Sequence, residues 1–198
     1  MAVFEVFALV SADGGWESAG ALWHNTGLAG RTIQPPFHAA QHGRHAMADQ
    51  DLKKMYRTRT EGNFPETVEI LGRAYEKVDD LRYGTNPHQP AAFYRPAGAE
   101  GLVLGAHKTL KTGKGGLSQT NLEDMQHAIG ILKFMQRPAC AVMKHCNPSG
   151  VAIEVDGQSL AEVYLRARDA DAQAAFGSVV AFNREVDGDT AAEIMQTI

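Results

Sequence analysis

The sequence predicts an α/β fold, layered around a mainly parallel sheet, and three observations predict it. Three segments open with the S/T-x-x-E pattern that satisfies the orphaned backbone donors of a helix start. Stripes of apolar residues at helical spacing follow two of them. Between the helices lie short unbroken apolar runs, the pattern of strands buried on both faces.

Residues 1–46 stand apart, as an irregular N-terminal extension. Glycines, the pair Pro35 and Pro36, and four histidines (His24, His38, His42, His45) replace regular periodicity there. His38 and His42 are four apart, but no carboxylate joins them in an HExxH pattern, so they read as solvated side chains. Regular texture starts at Met47, and residues 47–198 are expected to form the globular part. MADQDLKKMYRT gives a short amphipathic start, and Val68–Ala74 is a brief apolar run before Asp79 and Asp80. The stretch 81–96 is rich in turn chemistry and contains a strand at Ala91–Arg95, with a second candidate at Leu102–Leu104. KTGKGG (111–116) is a basic glycine loop. It misses the phosphate-cradling GxxxxGK[ST] pattern because Lys108 stands where the first glycine belongs.

The three helix starts are Thr120/Glu123, Ser159/Glu162 and Thr190/Glu193. Met125, Ala128, Ile129, Leu132 and Met135 form the stripe after the first; Leu160, Val163, Tyr164 and Ala167 form the one after the second. Ala139–Met143 and Val179–Phe182 are the buried strands between them. Strands alternating with helices give the layered architecture and the expectation of parallel pairing.

With 198 residues, 44% of them hydrophobic and 21% charged, the chain has the composition of one ordinary globular domain. A formal charge of −4, with basic residues scattered, gives no electrostatic support for binding nucleic acid or an acidic membrane. Cys140 and Cys146 do not form a secreted disulfide framework, and a reducing cytoplasm is expected. The opening MAVFEVFALV lacks a basic start and is interrupted by Glu5, unlike a signal peptide. No run approaches the ~20 apolar residues of a membrane span.

Two segments could carry chemistry. In KHCNPSG (144–150) a cation, an imidazole and an amide follow a buried strand and lead into a Pro-Ser-Gly turn, where open α/β sheets usually bind ligands. The same Lys-His pair could also be an exposed sheet edge. Upstream, Arg82 and Tyr83 precede Gly84, offering directional donors suited to a phosphate and a backbone that a ligand can approach closely. A zinc deaminase is excluded, since H-x-E and P-C-x-x-C are both missing.

Taken together, LRYGTNPHQPAAFY, TNLEDMQHAI, PACAVMKHCNPSGVA, DADAQAAFGSVVAFNREVD and TAAEI resemble, in order and spacing, the amino-terminal half of aminoimidazole-carboxamide ribonucleotide (AICAR) formyltransferases, often fused to an IMP cyclohydrolase. The resemblance runs from about Met47 to Ile198. It implies formyl transfer from 10-formyltetrahydrofolate, as cosubstrate and without a metal, to the 5-amino group of AICAR. Lys144 and His145 would be transition-state stabiliser and general base. Arg82 and Tyr83 would hold the phosphate and ribose end; Asn121 and the backbone at Phe176 and Gly177 would approach the substrate, with Asn147 a further candidate. It also implies a cytidine-deaminase-like fold without zinc and a homodimer. Because only half of the transferase is matched, the chain is expected to need a complementing second half for turnover. The alternative is a non-catalytic module that still binds a purine ribonucleotide. No cyclohydrolase domain is recognisable in residues 1–46.

Overall fold

The computed structural model describes residues 5–8, 54–99, 104–113 and 115–197. In chain order the elements are β1 (Glu5–Ala8), β2 (Thr67–Ile70), β3 (Arg73–Leu81), β4 (Ala91–Pro96), α1 (Gln119–Leu132), β5 (Ala139–Lys144), β6 (Asn147–Ile153), α2 (Leu160–Asp169), β7 (Val179–Phe182) and α3 (Gly188–Thr197). One sheet has the order β1-β7-β5-β6, and a separate sheet has the order β2-β3-β4.

The α/β class is as expected, but the pairing is not mainly parallel. Among the described strands only β1 and β7 pair in parallel; β5 runs antiparallel to both its neighbours, and the small sheet is antiparallel throughout. The cause lies between Lys144 and Asn147. His145 and Cys146 alone join β5 to β6, and a crossover needs a dozen or more residues, so the chain must fold back as a hairpin. The turn is therefore His-Cys, and the Pro-Ser-Gly residues read as a turn belong to β6. Pro148 is tolerated because β6 is an edge strand with an irregular register opposite Val142 and Met143. From β6, α2 carries the chain to β7 on the far side of β5.

Alternation along β5 and β7 makes the two cores. Ala139, Ala141, Met143, Val179 and Ala181 pack with the α1 stripe of Leu122, Met125, Ala128, Ile129 and Leu132. Cys140, Val142, Val180 and Phe182 face Val163, Tyr164 and Ala167 of α2 and Ile194 of α3. Gly150 lets α2 approach β6, since a Cβ there would stand 1.8 Å from the Ala167 carbonyl oxygen. The strand expected at Ala91–Arg95 is β4, and Val68–Ala74 is a hairpin that opens β2 to β3.

Of the three capping boxes, only Ser159/Glu162 caps its helix as expected. The cap of helix α1 lies two residues before Thr120, at Ser118, with Asn121 closing the box, while Glu123 accepts from the Gln119 side chain at 2.8 Å. At α3 the carboxylate of Asp187 accepts from the Thr190 N–H at 2.7 Å, leaving no cap for Thr190 to supply. Within residues 1–46, Glu5–Ala8 departs from the irregular extension expected, being the strand beside β7. His24, Pro35, Pro36, His38, His42 and His45 lie outside the described residues, as do the first seven residues of MADQDLKKMYRT and the first two of Leu102–Leu104. No helix among the described residues is long and apolar enough to cross a membrane.

Candidate functional site

Beyond Leu81 the chain leaves the small sheet and joins the start of α1. The Arg82 N–H donates to the Leu117 carbonyl (2.7 Å), and the Gln119 N–H donates to the Tyr83 carbonyl (3.0 Å). This brings the Arg82 side chain, buried with its residue only 6% exposed, beside the helix cap. Its Nη2 reaches Asn121 Oδ1 at 3.4 Å, and its guanidinium lies 5.0 Å from the Tyr83 ring centre. Tyr56 meets Tyr83 edge-on at 5.9 Å. Asn121 Oδ1 also accepts from the Ser118 N–H (2.9 Å) and hydroxyl (2.7 Å). Its carbonyl is engaged three times over, and among the described residues Nδ2 has no partner, so it can donate to a ligand.

The opposite wall comes from the end of β5. Lys144 Nζ donates to the Phe176 carbonyl, in the segment after α2. Gly177 follows at φ 68°, and a Cβ there would meet Nζ at 3.6 Å. His145 and Cys146 both adopt positive φ, 52° and 66°. Beneath them, Asp124 of α1 accepts the Cys146 N–H at 2.6 Å. Burial pushes the Asp124 carboxyl above its ordinary value, while the Cys146 amide and His145 pull the other way. Desolvation, then Glu123 and Asp124, push the Cys146 thiol up, which keeps it protonated and a poor nucleophile.

The two walls enclose an open cleft of about 390 Å³. Six of the residues expected from the sequence line it: Arg82, Tyr83, Asn121, Lys144, His145 and Gly177. Phe176 takes part through its carbonyl on Lys144, with its ring exposed. Asn147 does not line the cleft; its Nδ2 donates to the His145 carbonyl at 3.0 Å, beside the turn. Sequence reasoning missed Asp124, Ser118 and Ser178, which also line it. Asp124 had one available signal, its i+3 spacing from Asn121, which sets both on one helix face. A guanidinium on one side and an ammonium beside an imidazole on the other suit an anionic ligand undergoing proton transfer. Among the described residues no three His, Cys, Asp or Glu side chains converge to hold a metal ion.

Comparison with known proteins gives a family. The family model described as the AICARFT/IMPCHase bienzyme matches residues 30–198, starting upstream of the boundary expected at Met47. The bifunctional purine biosynthesis protein PurH of Sorangium cellulosum (strain So ce56) is 47% identical over 128 residues, 65% of this chain and 24% of that protein. PurH of Oceanobacillus iheyensis is 41% identical over 159 residues, 80% of this chain and 30% of that one. PurH of Desulfitobacterium hafniense (strain DSM 10664 / DCB-2) is 45% identical over 131 residues, 66% and 24% of the respective chains. The chain thus spans about a quarter to a third of the length of these curated relatives.

Proposed function

Because the chain belongs to the AICARFT/IMPCHase bienzyme family, we propose that it serves purine biosynthesis by supplying the nucleotide wall and the base of a formyl-transfer site. The reaction is transfer from 10-formyltetrahydrofolate to the 5-amino group of AICAR. The observation that carries this reading is the single cleft shared by Arg82, Tyr83, Asn121, Lys144 and His145, which come from three separate segments of the chain.

Arg82 offers the phosphate a charge-assisted, directional contact, and its burial beside Tyr83 and Asn121 keeps the guanidinium from having to be ordered when the nucleotide arrives. At the other wall the 5-amino nitrogen attacks the formyl carbon. The amine is a weak nucleophile because its lone pair is delocalised into the imidazole ring. His145 accepts its proton as the new C–N bond forms, and Lys144 donates to the formyl oxygen as charge develops there. The intermediate collapses with cleavage of the carbon–N10 bond, and a proton passes to N10, giving formyl-AICAR and tetrahydrofolate. Gly177 and the Phe176 carbonyl fix the ammonium of Lys144 near the reacting atoms. The same reading takes the two-faced sheet as the core of a cytidine-deaminase-like fold used without zinc, in a cytoplasmic homodimer or with the remainder of a transferase.

A non-catalytic nucleotide-binding role is the second reading, favoured by the fact that Arg82, Tyr83 and Asn121 are organised within this chain. Calorimetric titration with AICAR and with 10-formyltetrahydrofolate separately tests both. Binding of AICAR that depends on its phosphate supports a nucleotide wall. Failure of AICAR to bind overturns both readings, and formyl transfer once the rest of the transferase is supplied separates the first from the second.

A further inference from the structure

Building on that reading, we infer that Asp124 is a positioning residue: its buried carboxylate holds the His145–Cys146 turn in the left-handed conformation and thereby aims Lys144 and His145 into the cleft. Two hairpins in the molecule allow the comparison. Between β2 and β3, Leu71 and Gly72 take φ of 51° and 73°. Glycine there accepts positive φ freely, as two-residue hairpins prefer. Between β5 and β6, His145 and Cys146 take nearly the same angles with no glycine at all. Both positions of this turn carry side chains, against one in the first hairpin, so the conformation costs more here and calls for support from its surroundings.

Asp124 is the enforcing group. It projects from α1, 22 residues earlier in the chain, and accepts the Cys146 N–H at 2.6 Å. It is only 5% exposed, so the carboxylate has been desolvated to make this contact. Asn121, one turn earlier on the same face, holds Arg82. A single helix face therefore orients both walls of the cleft, and the distance between anion site and base is set by α1.

The test uses Asp124→Ala, Asp124→Asn and the double variant Asp124→Ala/Cys146→Gly in this chain. Backbone couplings and chemical shifts of His145 report its positive φ, and amide hydrogen exchange reports protection at Cys146. Asp124→Ala is expected to exchange the Cys146 proton about ten- to a hundredfold faster, the worth of a charge-assisted bond, and to lose the positive-φ signature at His145. Asp124→Asn, which retains an acceptor, keeps most of both. The double variant regains the His145 signature, because glycine at 146 adopts the turn without help. If Asp124→Ala leaves His145 and Cys146 as in the wild type, or if glycine restores nothing, the positioning role is wrong. AICAR titrated into each variant separates this from the functional reading. Wild-type chain that does not bind AICAR overturns that reading, while the turn measurements still decide the role of Asp124.

Discussion

Replacing Gly150 by alanine should destabilise the fold and disturb the site together. The added Cβ would lie 1.8 Å from the Ala167 carbonyl oxygen and 2.9 Å from both the Ala167 carbonyl carbon and the Ala170 Cβ. An ordinary contact needs about 3.4 Å or more, so α2 would have to retreat from β6 by well over 1 Å. The obstacle is helix backbone, which cannot swing aside as a side chain does. Overpacking of this kind costs about 3 kcal/mol, the upper end of its usual range. In a domain of this size each 1 kcal/mol shifts Tm by roughly 2–4 °C, so Tm should fall by roughly 6–12 °C. Since α2 leads into the segment that carries Phe176 and Gly177, the variant should also lose the contact that fixes Lys144. Thermal unfolding followed by circular dichroism is the assay. A variant that melts within about 1 °C of the wild type would refute the close packing of α2 on β6.

Other perturbations separate the parts of the site. Arg82→Ala should weaken AICAR binding by about 1.5–3 kcal/mol in calorimetry while leaving the dephosphorylated nucleoside nearly unaffected; equal losses would point to misfolding. Gly177→Ala forces a side chain into positive φ beside Lys144 Nζ and should lower formyl transfer more than AICAR affinity, which single-turnover and titration measurements distinguish. The raised pKa of Asp124 fixes a sign for pH dependence. A carboxyl whose folded pKa is raised adds stability below its ordinary value near 3.8, and this is lost as pH rises through the folded pKa. Asp124→Asn removes that cost of ionisation. Its Tm should therefore equal or exceed the wild type's at neutral pH and converge with it in acid; a deficit that grows with rising pH would contradict the desolvated carboxylate.

What was legible in the sequence follows from what each residue does locally. β5 and β7 were readable because Ala139–Met143 and all of Val179–Phe182 are buried on one face or the other, which leaves unbroken apolar runs. The α1 and α2 stripes were readable for the corresponding helical reason. β3 was not, because Glu76, Lys77, Asp79 and Asp80 sit on a sheet that is largely solvated and laced by ion pairs such as Lys77–Glu66 at 2.7 Å. β6 was hidden by Pro148 and Gly150, residues that usually punctuate but here serve an edge strand and a close helix approach. The capping pattern at Thr120 was matched in letters but outcompeted by Ser118 and Asn121, where the cap also holds Arg82. Arg82, Tyr83, Lys144 and His145 could be picked out because a motif surrounds each pair. Asp124 was missed because, apart from its spacing from Asn121, it resembles any charged residue of a solvated helix until a strand turn from 22 residues away is laid on it.

The most direct test of the proposed chemistry is single-turnover formyl transfer from 10-formyltetrahydrofolate to AICAR, with this chain combined with the remaining part of a family transferase. Wild-type His145 and His145→Gln are compared under conditions where both bind AICAR. Removing a general base should slow the chemical step by about two to four orders of magnitude with AICAR affinity nearly unchanged. Formyl-AICAR produced at the wild-type rate by His145→Gln would contradict the assignment of the base and, with it, the account of how this cleft works.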